Sequence, residues 1–320
     1  MEKLAVESEF MTDTRKGLSS SPKFLLSKYF YDDKGSNIFQ KIMHMPEYYL
    51  TNAEQEILSL HKNKITEHFN NGSSPFDLLE LGAGDGSKTK TILKQLMSRS
   101  VKFNYRPIDI SKLANDELKQ NLTSELPELS VYPVTGDFFH LLGNKNGHAA
   151  LRKVILFLGS NIGNFSDDEL HRFLSQLKDF TTSGDQLFIG FDLKKSPEII
   201  KKAYDDRHGY TREFNLNHLR RLNDELGANF NVDKFEQHTE YNPKNGEVKS
   251  YLVSTEKQTV FIEALDEEYS FNCWEPTFME LSRKFDPESI ENMAEKYGFK
   301  VKQHFTDLRN FFMDSLWIRK

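Results

Sequence analysis

A glycine-rich stretch at residues 78–89, reading LLELGAGDGSKT, holds the residues best suited to bind a ligand. An apolar run ends in the acidic Glu80, and Gly82, Gly84 and Gly86 follow at alternate positions. Glycine tolerates positive φ and lets a ligand approach the backbone, and the start of the next helix presents N–H groups that suit a carboxylate or phosphate. The stretch therefore predicts a ligand-binding turn between a strand and a helix, with a purely structural turn as the alternative.

The spacing of these glycines distinguishes two classes of cofactor. A dinucleotide-binding turn of the form G-x-G-x-x-G would have its third glycine where this chain has Ser87. An acidic residue two positions before G-x-G-x-G is similar instead to the first motif of methyltransferases that use S-adenosylmethionine (SAM). The turn therefore favours SAM over a dinucleotide.

Other candidate residues follow strand-like runs further along the chain. Asp109 ends the second run, Asp137 and Phe138 end the third, and the loop from Gly159 to Asn164 follows the fourth. In open parallel sheets, ligands bind beyond the carboxyl ends of the strands. We therefore expect these residues and the glycine turn to lie along one edge of a sheet.

Strand-like and helical segments alternate between residues 76 and 193, and the strands are almost continuously apolar. This pattern predicts a parallel sheet covered by helices on both faces. We expect an α/β fold, namely a Rossmann-like sheet of the class I methyltransferase type, together with a smaller mixed α+β substrate domain. The methyltransferase domain would comprise residues 61–194 and 286–320, and the substrate-binding domain residues 1–60 and 195–285.

Local patterns predict the boundaries of individual elements. The segment TNAEQEILSLHKNKI predicts a helix capped by Thr51 or Asn52. Residues 131–138 predict a complete third strand, and residues 243–246 predict the turn of a β-hairpin. The segment QTVFIEAL is expected to pair with that hairpin.

Composition excludes several functional classes. The 320 residues include 42 Lys and Arg against 48 Asp and Glu, and the resulting net charge of −6 argues against a nucleic-acid partner. The single cysteine, Cys273, cannot form an intrachain disulfide and fits a reducing cytoplasm. The N-terminus lacks the apolar core of a signal peptide, and no apolar run approaches the roughly 20 residues that span a bilayer. We expect a cytoplasmic monomer with no membrane partner.

Six stretches of the chain resemble the histidine-specific N-α-methyltransferases of ergothioneine biosynthesis. They occur in the family's order and read KYFYDDKGSNIF, PEYYLTNAEQEIL, LLELGAGDGSKT, FLGSNIGNF, DLKK…AYDD and FMELSRKF. The resemblance implies an enzyme that transfers methyl groups from SAM to the α-amine of L-histidine, up to the trimethylated betaine hercynine. No metal is expected, because the ten histidines show no H-x-x-x-H or Cys–His ligand cluster.

The resemblance also implies which residues bind the cofactor. The turn formed by the three glycines would lie along the methionine part of SAM, and Lys88 would meet its carboxylate. Asp109 would accept hydrogen bonds from the two ribose hydroxyls. Asp137 would accept a hydrogen bond from the adenine amino group, with Phe138 nearby.

Substrate-binding residues follow from the same resemblance. Gly159 would offer its carbonyl to the amine, and Asn164 would hold the amino and carboxylate end of the amino acid. Tyr204 would donate to the substrate carboxylate. Glu280 and Ser282 stand two apart on a strand and so face the same side, where they would bind the imidazole. Without the resemblance, a solvent-exposed strand face would be the preferred interpretation of these two residues.

The N-terminal segment contributes aromatic residues to the expected pocket. Tyr31, Phe39 and Tyr48 would form its wall, and Tyr31 is the candidate for relaying the proton that the amine must lose. The chain departs from the family at Ser250, which stands where the best-known members have methionine.

Three other functions remain open on the sequence alone. The enzyme could methylate another amino acid such as tryptophan, although the carboxylate of Glu280 requires a donor that phenyl and phenol rings supply poorly. A nucleotide-dependent oxidoreductase is disfavoured by Ser87 and by the lack of an evident catalytic acid. A regulator that binds SAM without turnover is disfavoured by the complete set of substrate-binding candidates.

Overall fold

The computed structural model describes residues 8–72, 74–143 and 151–320. Ten α-helices lie within these ranges: α1 (Glu9–Ser19), α2 (Asp33–Met43), α3 (Tyr49–Asn70), α4 (Lys90–Ser98), α5 (Lys112–Glu125), α6 (Phe138–Gly143), α7 (Asp167–Phe180), α8 (Pro197–Tyr204), α9 (Tyr210–Leu226) and α10 (Pro287–Lys296). The same ranges contain twelve strands: β1 (Phe76–Leu81), β2 (Phe103–Asp109), β3 (Val134–Thr135), β4 (Arg152–Phe157), β5 (Gln186–Asp192), β6 (Phe235–Asn242), β7 (Glu247–Ser254), β8 (Gln258–Ile262), β9 (Glu267–Phe271), β10 (Pro276–Arg283), β11 (Phe299–Thr306) and β12 (Phe312–Arg319).

The chain divides into two compact units, each formed from two segments. One comprises Met1–Tyr49 and Lys195–Arg283 and is called here the hairpin unit. The other comprises Leu50–Lys194 and Lys284–Lys320 and is called here the sheet unit. The first break along the chain therefore falls at Leu50, whereas the domain boundary expected from the sequence was residue 61.

The sheet unit is built on a seven-stranded sheet of order β11-β12-β5-β4-β1-β2-β3. Strands β1 to β5 are parallel, and β12 is antiparallel to both β5 and β11. The order runs outward from β1 in both directions, so right-handed crossovers put the connecting helices on opposite faces. This mainly parallel sheet has the architecture expected for the class I methyltransferase type, and the α/β prediction is confirmed.

The apolar strands of the sheet unit explain why it forms. Every residue of β1 and β5 is buried, as expected for strands covered on both faces. A core of aromatic side chains packs one face, where the rings of Phe157 and Phe173 lie 4.7 Å apart. The antiparallel β12 brings Trp317, which is fully buried, into the same core.

The hairpin unit contains two small antiparallel sheets, β10-β7-β6 and β8-β9. Strand β7 alternates strictly between buried and partly exposed residues, so one face of the larger sheet is buried. Helices α2 and α9 pack together in this unit, and Phe30 and Phe214 contact each other at 4.8 Å within its core.

Three local predictions were wrong. Helix α3 begins at Tyr49, directly after a turn closed by the bond from Tyr48 N to Met45 O, so Thr51 and Asn52 lie inside its first turn and do not cap it. Strand β3 is only Val134–Thr135, because Pro133 cannot donate to the ladder on one side and helix α6 starts soon after on the other. Strand β8 pairs with β9 rather than with the β6–β7 hairpin.

None of the helices in the described ranges is both long enough and apolar enough to cross a membrane.

Candidate active site

The three glycines of the motif form a turn directly after β1. Gly82, Gly84 and Gly86 all have positive φ, at 70°, 54° and 68°. A Cβ on Gly84 would meet no atom within 4 Å, so the space beside this residue is open. The turn therefore has the backbone conformation that favours glycine and leaves room for a ligand against it.

The acidic residue of the motif, Glu80, forms hydrogen bonds with residues of the elements next to this turn. Glu80 is buried and accepts hydrogen bonds from Thr89 Oγ1, at 2.5 Å, and from the Tyr105 hydroxyl. Burial raises the pKa of Glu80 to about 7, although both hydrogen bonds act in the opposite direction. Glu80 thus ties β1 to β2 and to the residue preceding α4, which gives it a structural role.

Asp109 lies beside the glycine turn at the end of β2. Its Oδ2 accepts a hydrogen bond from Gly84 N at 3.3 Å, and its Oδ1 accepts one from Ser111 N at 3.0 Å. The residue is partly exposed, so its carboxylate retains capacity to accept further hydrogen bonds. The structure therefore brings together the two features that were connected to SAM on the sequence alone.

Asp137 and Phe138 lie beyond the end of β3, the next strand in the sheet. The carboxylate of Asp137 accepts a hydrogen bond from Phe139 N at 2.8 Å at the start of α6. The Phe138 ring contacts that of Phe157 edge-on at 5.8 Å. Both residues follow the carboxyl end of a parallel strand, as predicted.

Lys88 is held by a residue that was not predicted from the sequence. Its Nζ lies 2.7 Å from Oε2 of Glu54, a residue of α3 with no exposed surface. Burial lowers the pKa of Lys88, but the nearby acidic residues, chiefly Glu54, together outweigh this effect and raise the pKa above its ordinary value. Lys88 is therefore a cation, and about a quarter of its side chain is exposed.

The loop after β4 contains Gly159 and Asn164. Gly159 has φ of 79°, and its N–H donates to Oε1 of Glu54 at 2.7 Å. The next residue, Ser160, accepts a hydrogen bond from Asp192 N at its Oγ, at 2.9 Å. Asn164 ends the short 3-10 helix Asn161–Asn164. Both predicted residues therefore lie in the loop after β4, the strand that pairs with β1, which the glycine turn follows.

Four predicted substrate residues form a chain of aromatic contacts in the hairpin unit. Ring centroids lie 5.4 Å apart for Tyr31 and Phe39, 6.2 Å for Phe39 and Tyr48, and 6.3 Å for Tyr48 and Tyr204. Phe214 of α9 contacts both Tyr31 and Phe39, at 5.4 and 5.7 Å. Nothing in the sequence around Phe214 distinguished it from ordinary core residues.

Glu280 and Ser282 lie on the buried face of the β10-β7-β6 sheet. A bulge between Phe278 and Glu280 shifts the register, after which Glu280 pairs with Ser250 and Ser282 with Val248. Ser250 and Ser282 are 2% and 9% exposed, so the alternative of a solvent-facing strand does not hold. The Ser282 Oγ lies 2.8 Å from the Tyr204 hydroxyl, which links this face to the aromatic contacts.

Tyr31 is electrostatically connected to the same group. Burial raises the pKa of Tyr31 well above its ordinary value, and the carboxylate of Glu280 raises it further. Since 48% of the residue is exposed, solvent moderates this shift without reversing it. Tyr31 is therefore a neutral phenol at pH 7, able both to donate and to accept a hydrogen bond.

The predicted residues thus fall into two sets. The sheet unit contains the glycine turn, Lys88, the two aspartates and the Gly159–Asn164 loop, whereas the hairpin unit contains the aromatic residues, Glu280 and Ser282. Glu54 could have been noticed as an acidic residue on the apolar stripe of its helix, since its neighbours Ala53, Ile57 and Leu58 are all buried. Across the described ranges, no group of three or more His, Cys, Asp or Glu side chains could hold a metal ion.

Comparison with known proteins gives one family over nearly the whole chain. The family described as "Histidine-specific methyltransferase, SAM-dependent" matches residues 10–319. The chain is 34% identical to the histidine N-alpha-methyltransferase of Mycolicibacterium smegmatis, over 96% of this chain and 94% of that protein. It is 30% identical to ergothioneine biosynthesis protein 1 of Neurospora crassa, over 70% of this chain and 26% of that protein.

Solved structures with low sequence identity also align with this chain. One is the 1,6-didemethyltoxoflavin N1-methyltransferase of Burkholderia thailandensis, with a TM-score of 0.44 and 11% identity over 83% of this chain and 79% of that one.

Proposed function

The chain belongs to the family of SAM-dependent, histidine-specific methyltransferases, and we propose that it methylates the α-amine of L-histidine up to the trimethylated product hercynine. The match over residues 10–319 carries this proposal, because it spans both the glycine turn and the strand that bears Glu280 and Ser282. The six stretches that predicted the family lie within the same range.

We propose that the sheet unit binds SAM. The open space beside Gly84 and the cationic side chain of Lys88 fit the methionine part and its carboxylate, and the exposed part of Asp109 fits the ribose hydroxyls. Asp137 would bind the adenine amino group beside Phe138. When bound, SAM supplies a methyl group already activated by its sulfonium, so the protein has to align the reactants rather than activate the methyl group.

We propose contacts with the amino acid for residues of each unit separately. Gly159 and Asn164 bind its amino and carboxylate end, and Tyr204 donates to its carboxylate. The imidazole lies at Glu280 and Ser282, with Tyr31, Phe39 and Tyr48 along the ring. What supports this division is the placement of Glu280 and Ser282 on a buried face that already contains the hydroxyl of Tyr204.

The amine must lose a proton before each transfer, because an ammonium ion has no lone pair. Tyr31 is a neutral phenol, and its oxygen can accept a hydrogen bond from the ammonium N–H. As that proton moves to the phenol oxygen, the phenol O–H proton can pass to water at the exposed part of the side chain. Its raised pKa argues against a phenolate acting as a permanent base. We therefore assign Tyr31 to proton relay.

Glu280 also bears on which amino acid the enzyme prefers as substrate. A carboxylate can accept several hydrogen bonds, and the imidazole N–H is a donor that suits one of its oxygens. The indole of tryptophan also carries an N–H, so tryptophan is the alternative amine to test.

The experiment is incubation of the protein with SAM and separate amino acids, followed by mass detection of products. We expect methylated histidine with up to three methyl groups, and the mass identifies the final state. The same activity is expected after dialysis against a chelator and from the monomeric fraction of a sizing column. Methylation of tryptophan but not histidine would contradict the proposal.

A further inference from the structure

Glu54 joins two parts of the sheet unit that have separate proposed roles. Its Oε2 lies 2.7 Å from the ammonium of Lys88, and its Oε1 accepts the Gly159 N–H at 2.7 Å. The residue has no exposed surface, so both interactions form away from bulk water. The contact with Lys88 is an ion pair, and the contact with Gly159 is a charge-assisted hydrogen bond, which is stronger and shorter than a neutral one.

The sheet leaves space for this carboxylate. A Cβ at Gly190 of β5 would lie 2.5 Å from Oε1 of Glu54, so any side chain there would displace it. The residue that pairs with Gly190 on β12 is Asp314, which is also fully buried. Neither carboxyl oxygen of Asp314 has a hydrogen-bond partner within the described ranges.

The carboxyl of Asp314 interacts electrostatically with both Glu54 and Lys88. Burial and the neighbouring carboxylate of Glu54 raise the pKa of Asp314 well above its usual range, whereas Lys88 acts in the opposite direction. Within the described ranges Lys88 forms an ion pair with Glu54 at 2.7 Å, whereas neither carboxyl oxygen of Asp314 forms a hydrogen bond with it. The negative charge that orients Lys88 is therefore that of Glu54.

Gly159 needs such an anchor more than other residues would. Glycine has a wide choice of backbone conformations, and the carbonyl of Gly159 could otherwise rotate. Its N–H is fixed by Glu54 on one side, and the next residue, Ser160, is fixed by its hydrogen bond from Asp192 N on the other. The carbonyl between these two anchors is held in one orientation.

We propose that Glu54 is a positioning residue that sets both the ammonium of Lys88 for the SAM carboxylate and the backbone of Gly159 for the substrate amine. This inference rests on the roles proposed above for Lys88 and Gly159. It predicts that a single buried carboxylate affects the binding of two different reactants, which a purely structural ion pair would not do.

The test compares Glu54→Gln, Glu54→Asp and a matched control in steady-state methylation of histidine. Glu54→Gln keeps the shape but loses the charge and one acceptor, so we expect KM for SAM to rise and kcat/KM for histidine to fall, each roughly 10- to 100-fold. Glu54→Asp keeps the charge but is shorter by one bond of about 1.5 Å. We expect it to keep a near-normal KM for SAM while kcat/KM for histidine falls by roughly tenfold.

The control is Asp185→Asn, which removes a similar buried carboxylate at the opposite ends of the strands. Asp185 accepts the Lys153 N–H at 2.7 Å and lies 3.0 Å from the Lys153 ammonium, two contacts of the same kind as those of Glu54. It also accepts a hydrogen bond from Thr182 N at 2.9 Å. We expect Asp185→Asn to lower the melting temperature and to leave both KM values unchanged.

Wild-type kinetic constants in folded Glu54→Gln and Glu54→Asp proteins would overturn the inference, and so would equal kinetic losses in Asp185→Asn. If Glu54→Gln does not fold, the kinetics of Glu54→Asp test the inference: KM for SAM should stay near normal while kcat/KM for histidine falls. If the wild type does not methylate histidine, the proposed function fails instead. Calorimetric titration of wild type and Glu54→Asp with SAM, together with the Gly159 amide resonance of each, then tests both contacts of Glu54.

Discussion

At the scale of single residues, Glu280 bears most directly on the choice of substrate. It follows a β-bulge and shares the buried sheet face with Ser250 and Ser282, and it raises the pKa of Tyr31. A carboxylate in such a place is stabilised by a hydrogen-bond donor, and the donor we propose is the imidazole N–H. Ser250 pairs with Glu280 across the two strands and is buried.

The substitution Glu280→Ala tests this assignment. We expect KM for histidine to rise roughly 10- to 100-fold and the preference over phenylalanine and tryptophan to shrink, because the variant no longer favours a ring with an N–H donor. The measurement is kcat/KM for the three amino acids, with SAM affinity as a check on the fold. The matched control is Glu236→Ala, which removes an exposed carboxylate from β6 of the same sheet. A histidine preference that survives Glu280→Ala would remove Glu280 from the site.

Asp109 provides the corresponding test for the cofactor. Its carboxylate contacts Gly84 N and keeps an exposed part that we assign to the ribose hydroxyls. Asp109→Ala should weaken SAM binding, with an upper scale set by two charge-assisted hydrogen bonds of about 1.5–3 kcal/mol each. Calorimetric titration of SAM into wild type and variant measures the loss. Unchanged affinity in a folded variant would show that the ribose binds elsewhere.

At the scale of elements, helix α9 contains a buried histidine with consequences for acid stability. His218 has no exposed surface, and neither ring nitrogen has a hydrogen-bond partner in the part of the chain that the structure describes. It packs among aromatic rings, with centroids 5.5 Å from Phe30 and 6.1 Å from Tyr29. Burial, and to a smaller extent Arg221, lowers the pKa of His218 from 6.5 to about 3.

The sign of the resulting pH dependence follows from proton uptake. Between pH 6.5 and about 3 the unfolded chain binds a proton at this position and the native chain does not, so stability falls as pH falls. At pH 5 this amounts to about 2 kcal/mol, from about 1.4 kcal/mol per pH unit below the unfolded pKa. We expect His218→Phe to lose less stability than wild type between pH 7 and pH 5.

Urea denaturation of both proteins at the two pH values measures this difference. His238→Phe serves as the control, because His238 is exposed on β6 and should leave the pH dependence unchanged. Equal pH dependence in wild type and His218→Phe would mean that the native state also takes up this proton.

At the scale of the whole molecule, the two chain segments of the sheet unit are in contact at the points where the chain leaves this unit and returns to it. Lys194 N donates to Phe285 O at 2.8 Å, and Leu193 forms an isolated bridge with Phe285. Residues 194 and 284 are therefore close enough for a short linker. A variant that joins residues 50–194 to residues 284–320 through a short Gly-Ser linker would contain the sheet unit alone.

We expect this variant to fold and to bind S-adenosylhomocysteine within about tenfold of the full chain. It should not methylate histidine, since it lacks Tyr204, Glu280 and Ser282. Circular dichroism, calorimetry and mass detection of product give the three readouts, and the same variant with Asp109→Ala controls for specific binding. Turnover of histidine by this variant would refute the substrate roles assigned to the hairpin unit.

Much of the fold and the family was determined by the sequence alone, because the signals are local. Alternating apolar strands and helices predict a parallel sheet, and glycines at alternate positions predict the turn after β1; the structure confirms both. The same locality explains why Asp109 and Asp137 were placed correctly at strand ends. The six distinctive stretches were sufficient by themselves to identify the family, and the match over residues 10–319 confirms it.

Only the tertiary structure decided which residues distant along the chain meet each other. Glu54 and Gly159 lie on different elements, and their contact depends on how α3 packs over the sheet near Gly190. Which face of the sheet Glu280 lies on depended on a β-bulge, because one extra residue reverses the alternation of side chains along a strand. Strand β8 pairs with β9, since the choice of a neighbouring strand is set by long-range packing rather than by the β-propensity of the segment.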